Sequence, residues 1–386
     1  MSETMSPFAS VGLFTGAPQH EHFDRLYRML PSSRLAASSV PHRFPDGNPV
    51  DLPPSFDFAG TTVDTEEFLH VTDTAALLVL RDGAVVHEQY RLTGGPDVQW
   101  ISFSVAKSFV SALVGIAVQH GHIRSIDDPI SDYIDTDPGS AYEGVRIKDV
   151  LQMSSGARWN EDYSDPASDV VRLGEALAPG GGLDRFVASA APDVAPGTVC
   201  QYNSTDTQAL GALLVRATGR SITDFMQEHL YEPLGMESDG YWLLDAAGRE
   251  MAFGGVNLTA RDFAKLGELY RLGGARNGTQ VVPAEWVAAS IVPDAPHLEW
   301  GRPVIAGENL PDGYGYQWWL IPGGLDQYSA IGVYNQWVFV SPRHGVTIVK
   351  LSATRTYGTT MGEETSYSGT HEAFLQAVAT HVAATG

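Results

Sequence analysis

The 386 residues carry 46 acidic against 24 basic side chains, a formal net charge of -22. Such a surface repels nucleic-acid phosphates and anionic membranes, so neither is an expected partner. The single cysteine, Cys200, excludes an intrachain disulfide framework and thiolate metal clusters, and no apolar run approaches the ~18 residues of a membrane helix. The length exceeds one typical domain, and the first residues show no basic segment followed by an apolar core, so the expectation is a soluble, cytoplasmic protein.

Residues 1–70 are rich in Pro, Gly, Ser and Asp and read as a leader wrapped on the body. Only Phe23 to Leu30 resembles a short amphipathic helix; residues 31–60 read as coil, either packed on a surface or partly mobile. Ala75 to Leu80 and Ala84 to Tyr90 flank Arg81-Asp82-Gly83, a hairpin signal, because Asp-Gly supplies a positive-φ turn between strand-forming runs.

Then comes Phe103-Ser104-Val105-Ala106-Lys107-Ser108, opening a helix that ends near His120-Gly121. From Val105 to Val118 only Lys107, Ser108 and Ser111 break the apolar run, so every face is apolar and the helix should lie inside the protein. Ser104 and Lys107, at i and i+3, share one side of it. The pair reads in two ways. Ser104 is a helix cap and Lys107 snorkels to solvent, or Ser104 is a nucleophile and Lys107, its pKa lowered by desolvation, the base that takes its proton. The chain holds four lysines, and this one falls early in its most apolar helix, where a charge without a task is unwelcome.

Ile147 to Met153 has helical spacing, and Trp159 to Pro166 is a polar, aromatic loop. Asp169 to Leu177 and Leu183 to Ala190 are helices around a Gly-rich break. Tyr202 lies in a loop before a helix of about Asp206 to Ala217, for which Thr205 and Gln208 form a capping box. Residues 222–236 read as one helix, Thr259 with Asp262 caps another running to Leu272, and Pro283 to Ile291 is a third. Tyr316 to Ile321, Ile331 to Val340 and Val346 to Leu351 read as strands of an antiparallel meander, followed by a closing helix from His371 to Ala384. The order predicts an α/β (α+β) fold: an antiparallel sheet flanked by helices, built from residues 71–120 and 251–386, with 121–250 inserted as a second, mostly helical lobe and a site at the seam.

Gly-x-Ser-x-Gly, His-Glu-x-x-His, the phosphate-binding loop and the dinucleotide fingerprint are all missing, so no metal and no cofactor is expected. His20-Glu21-His22 and His371-Glu372 read as surface residues, and Cys200 as a small buried hydrophobe. A serine nucleophile needs a second group to hold or relay the proton. Tyr202 can serve, with a phenol pKa lowered by a protonated lysine; equally, it is a core tyrosine satisfied by one hydrogen bond.

Ser104-Val105-Ala106-Lys107 resembles the Ser-x-x-Lys element of penicillin-recognising serine hydrolases, and Tyr202-Asn203-Ser204 their Tyr-x-Asn element, with Ser204 in place of the usual Asn. Ala330-Ile331-Gly332 stands where β-lactamases carry Lys-Thr-Gly. Asn160 to Ser168, Gly254-Gly255-Val256, Tyr316 to Trp319 and Gln336 are similar more narrowly to the 6-aminohexanoate-dimer hydrolases, from about residue 70 onward. The resemblance implies a β-lactamase/DD-peptidase-like fold, with Ser104 as nucleophile, Lys107 as base and Tyr202 as proton relay. It makes Tyr163 a donor toward the scissile amide nitrogen, gives the oxyanion to the backbone N–H groups of Ser104 and Val333, and puts Asn203, Ser204, Phe253 and Gly332 at the substrate. It implies hydrolysis of small linear amides or esters, 6-aminohexanoate linear dimer among them, by a homodimer. A short-chain carboxylesterase and a silent binding protein of the same fold are the alternatives. Loss of the Lys-Thr-Gly cation argues against strong β-lactamase action, and the acid that holds a substrate amino group in the nylon-oligomer enzymes has no secure counterpart near Asp169.

Overall fold

Asp82 and Gly83 both adopt positive φ (48° and 80°), so Thr74–Arg81 (β1) folds back on Ala84–Tyr90 (β2) as a tight antiparallel hairpin. The computed structural model describes residues 9–385 and places this hairpin at one edge of a seven-stranded sheet. The remaining strands come from the other end of the chain: Gly313–Tyr314 (β3), Trp319–Leu320 (β4), Tyr328–Gly332 (β5), Gln336–Ser341 (β6) and Val346–Ser352 (β7). The order is β3-β4-β5-β6-β7-β1-β2, antiparallel throughout.

Two strand expectations are corrected. Ile331 to Val340 is not one strand, because Tyr334 and Asn335 adopt positive φ (62° and 66°) and reverse the chain, pairing Gly332 with Gln336. Tyr316 to Ile321 contracts to Trp319–Leu320, since Gln317 also has positive φ (62°) and the Gly315 N–H bonds back to the Trp318 carbonyl at 2.9 Å.

Alternation along the strands builds two cores. Leu78, Leu80, Val338, Val340 and Val349 pack with Phe109, Leu113, Phe263 and Leu266 on one face, from helices Ala106–Gln119 (α1) and Ala260–Arg271 (α3). Leu77, Val79, Phe339 and Ile348 pack on the other face with Phe374, Leu375 and Val378 of the closing helix, Ser368–Ala384 (α4). As the apolar run requires, every residue of α1 from Ala106 to Ala117 is buried.

Between α1 and α3 in sequence lie mainly short helices and one long one, Ser204–Thr218 (α2), which packs against α1. Its cap differs from expectation. The helix starts earlier than the Thr205–Gln208 pattern places it: Asn203 is the N-cap, its side chain accepts from the Thr205 N–H at 2.8 Å, and the Thr205 hydroxyl is buried without a partner. For α3 the Thr259 cap holds, its side chain accepting from the Asp262 N–H. The helix expected over 222–236 is α only over Ile222–Met226 and continues as a π turn over Gln227–Tyr231.

The leader is more structured than its composition suggests. Ser32–Leu35 joins Gly240–Leu243, Val256–Leu258 and Trp100–Ile101 in a four-stranded sheet, and Ser55–Phe58 pairs with Thr61–Asp64 as a hairpin. Its first eight residues lie outside the described residues. Among the described residues no helix is long and apolar enough to cross a membrane. The result is an antiparallel sheet flanked by helices, with a mostly helical lobe.

Candidate active site

Phe103 occupies positive φ (43°), a costly conformation for a side chain of its size. It is held there by burial, edge-on to Phe23 of the leader at 5.0 Å and stacked by Tyr334 at 5.8 Å. That bend delivers Ser104 in a 3-10 turn, Phe103–Val105, just ahead of α1. Ser104 makes no side-chain cap bond, which removes the capping interpretation.

Lys107 does not snorkel: it is 2% exposed. Its Nζ donates to Ser104 Oγ at 2.9 Å, to Ser204 Oγ at 3.1 Å and to the Phe253 carbonyl at 2.8 Å. Burial lowers its pKa from 10.5 to about 7, and the nearby Glu161 carboxylate works against that fall. An amine poised near neutrality and hydrogen-bonded to a serine hydroxyl is chemically able to take its proton.

Glu161 is the site residue that the sequence reading passed over. It is buried and collects donors from Tyr163 OH (2.6 Å), Ser204 Oγ (2.8 Å), the Ser204 N–H (3.3 Å) and the Trp159 indole. A chain of polar contacts therefore runs Ser104–Lys107–Ser204–Glu161–Tyr163. Its signal was an acid flanked by Trp159 and Tyr163 in a loop already assigned to the site.

Tyr202 lies beneath Lys107, whose Nζ is 5.1 Å from the ring centroid, and the ring stacks on Trp319 at 5.1 Å. It shares a cavity lining with Ser104, whose hydroxyl works against the rise in its phenol pKa. The lowered phenol pKa is corrected: burial, then the Glu161 charge, raises it well above 10, because the lysine sits over the ring face. Tyr163 is likewise raised by burial and Glu161; its ring packs on Phe14 at 4.6 Å.

Ser104 sits where two cavities meet, sharing both linings with Tyr163 and Val333. One, about 310 Å³, has apolar walls that include Phe14, Val170, Val171, Met251 and Phe253. The other, about 360 Å³, has Tyr202, Trp319, Gly332, Asp312 and Glu372 in its lining. Gly332 is required: a Cβ there would lie 2.5 Å from the Ser102 carbonyl oxygen and 3.0 Å from the Ser104 nitrogen. Only glycine lets β5 close on the backbone of Ser104, bringing Val333 with it.

Of the other expected site residues, Ser204 and Phe253 line the apolar arm, while Asn203 lines neither arm and serves as the helix cap. Asp169 is tied to the Asn160 N–H at 3.0 Å and to Arg172 at 3.0 Å. Ala330 is buried, and no lysine or arginine lines either arm. The surface assignment of His371-Glu372 is corrected: His371 is buried against Lys350 at 2.9 Å, and Glu372 lines the second arm, because α4 lays this dipeptide on the sheet. Cys200 is buried, which pushes its thiol pKa up. Among the described residues no group of three or more His, Cys, Asp or Glu could hold a metal ion.

The Beta-lactamase family profile matches residues 65–367. The 6-aminohexanoate-dimer hydrolase of Paenarthrobacter ureafaciens is 31% identical over 344 residues, covering 86% of this chain and 84% of the relative. Penicillin-binding protein 4 of Amycolatopsis lactamdurans is 31% identical over 43% of this chain and 44% of its own. In fold, a Bacillus anthracis protein assigned as a 6-aminohexanoate-dimer hydrolase superposes with a TM-score of 0.81 at 21% identity, covering 94% of each chain. The chain thus belongs to the β-lactamase family and is a serine hydrolase of that type.

Proposed function

We propose that the chain hydrolyses small linear amides or esters through an acyl-enzyme formed on Ser104. The 2.9 Å contact between Ser104 Oγ and a lysine whose pKa lies near 7 carries this reading. Ser104 Oγ attacks the carbonyl carbon and its proton passes to Lys107 Nζ, where the Ser204 hydroxyl and Phe253 carbonyl hold the resulting ammonium. The oxyanion lies between the N–H groups of Ser104 and Val333. Its collapse breaks the C–N or C–O bond, and the proton travels from Lys107 by way of Tyr202 to the departing atom. Water then attacks the acyl ester, the same groups move its proton, and the acid is released.

The activity named for the P. ureafaciens relative supports trying 6-aminohexanoate linear dimer first. A serine-directed phosphonate should add its mass at Ser104, and Ser104→Ala should lose both the adduct and turnover. A folded protein that neither labels nor hydrolyses amide or ester is a binding protein, and the reading fails.

One observation favours a second reading, a short-chain carboxylesterase with little amidase activity. Tyr163 gives its proton to Glu161 at 2.6 Å, so it is not offered to a leaving nitrogen, which needs that proton more than a leaving oxygen does. A p-nitrophenyl ester, the linear amide dimer and a cephalosporin assayed in one preparation separate the readings. The proposal also takes residues 71–120 with 251–386 as the α/β domain and 121–250 as an inserted lobe. It includes a cytoplasmic homodimer, which light scattering tests by giving twice the chain mass.

A further inference from the structure

We propose that the second arm is a subsite for a cationic amine on the leaving portion of the substrate, with Asp312 and Glu372 as its counter-ions. The subsite itself follows from the geometry; only the choice of leaving portion rests on the hydrolase reading above.

Asp312, just ahead of β3, is 5% exposed, lines the arm, and its Oδ1 is buried with no hydrogen-bond donor. The group its carboxyl meets is Glu372 of α4, itself an acid. Burial raises both carboxyl pKa values; the contact between the two raises Glu372 further and works against the rise in Asp312. Among the described residues neither acid has a lysine or arginine partner.

Most other acids in the interior are matched, Asp206 excepted: Tyr142 and Ser155 donate to its Oδ1 at 2.8 and 2.6 Å, but its Oδ2 has no partner. Asp262 and Glu237 meet Lys265 at 3.0 and 3.1 Å, Glu268 meets Arg271 at 2.8 Å, and Glu161 collects its ring of donors. Two carboxyls pressed together and left unmatched cost stability, so the fold has no use for them. Glu363, on the same arm, is already committed to the N–H groups of Gly369 and Thr370 at 2.8 and 2.9 Å, whereas Glu308 stands exposed at the arm's lining.

The lining that this arm shares among Ser104 and these acids also includes Ile331, Trp319 and Trp337. A cavity that sets aromatic and apolar walls beside two acids without a cation fits an alkyl chain tipped with ammonium, which would displace the shared proton and satisfy both carboxylates. Tyr202 lines this arm and not the other. The proton for the departing atom comes from Tyr202, so the leaving portion lies here and the acyl chain in the apolar arm. The substrate class is therefore aminoalkyl esters and N-(aminoalkyl) amides. A leaving portion ending in carboxylate, as in linear 6-aminohexanoate dimer, meets like charge.

The test compares kcat/KM for 5-aminopentyl hexanoate, pentyl hexanoate and pentyl 6-aminohexanoate. The wild type should favour the first over the second by about tenfold or more. Asp312→Asn and Glu372→Gln should each shrink that ratio, and the double variant should bring it close to one. No preference, a preference for the amine on the acyl side, or a ratio that survives both substitutions overturns the proposal. These variants neutralise unmatched acids, so their melting temperatures should equal or exceed wild type. Calorimetry of pentylammonium binding to Ser104→Ala protein reads the subsite without turnover. Binding that Asp312→Asn abolishes, in a protein whose wild type hydrolyses nothing, would end the hydrolase reading and leave the subsite standing. Absence of binding, or binding of a divalent cation and not the amine, ends the subsite.

Discussion

Lys107 and Lys350 are both buried, at 2% and 0% exposure, and burial lowers the pKa of both. Lys350 Nζ is held beneath α4 by Thr72 Oγ1 (3.2 Å), Ser352 Oγ (2.6 Å) and His371 Nε2 (2.9 Å), and sits 5.2 Å from the Phe68 ring centroid. The His371 Nδ1–H donates to the Tyr367 carbonyl at 2.7 Å, which leaves Nε2 to accept from the lysine. Lys107 has a comparable set of partners. It differs in that one partner, Ser104, faces open cavities on both sides, while a carboxylate stands one hydroxyl away. A desolvated amine is therefore not in itself a base for catalysis; the space beside its acceptor is what marks Lys107, and not Lys350, for the proposed role.

Substituting the two lysines alike should break the symmetry most sharply. Lys107→Met should cost about a thousandfold or more in kcat/KM, and a loss below tenfold would mean another group takes the proton. Wild-type kcat/KM should rise with pH through about 7 as Lys107 becomes neutral. Stability moves with it. Unfolded lysine keeps its proton up to 10.5, so from about 7 to 10.5 the unfolded state binds more protons and stability climbs with pH. Chemical denaturation across that window should show the climb in wild type and a flatter profile in Lys107→Met.

Glu161→Gln sharpens the contrast by removing the charge near only one lysine. The expected loss is about thirtyfold, with the rising limb moved to lower pH, since the carboxylate that favours the ammonium is gone. A limb that stays put, or moves up, rejects this account of the lysine. With its hydroxyl committed to Glu161 at 2.6 Å, Tyr163→Phe should cut amide and ester hydrolysis alike; a loss about fivefold larger for the amide would show that Tyr163 donates to the leaving nitrogen after all. Smallest of all, Lys350→Met should leave kcat/KM within about twofold. A large drop with an unchanged melting temperature would show that the two buried amines are coupled.

The parts of this molecule written in local spacing were readable in advance. Asp82-Gly83 turns because of its own backbone preferences, and Ser104 and Lys107 meet because one helical turn brings them together. The Val333-Tyr334-Asn335 reversal was missed, since its cues, Gly332 and Asn335, sit inside a β-branched and aromatic run that reads as one strand, and Tyr334 takes positive φ where it packs on Phe103 and Phe23. Glu161 reaches Ser204 across 43 positions, and Asp312 meets Glu372 from a separate part of the chain. Such encounters depend on how the sheet and α4 are stacked, which single-sequence periodicity does not encode. The Tyr202 error had the same origin: the lysine was expected beside the hydroxyl and lies over the ring.

The leader has a practical bearing on how this enzyme is handled. Leu13 and Phe14 are wall residues of the apolar arm, and the Phe14 N–H donates to the Tyr334 hydroxyl at 2.6 Å, on the same ring that stacks on Phe103 next to Ser104. A truncation that removes Leu13 and Phe14 would take away part of that cavity's wall and a ring packed on Tyr163 and Tyr334, and so change which molecules fit beside Ser104.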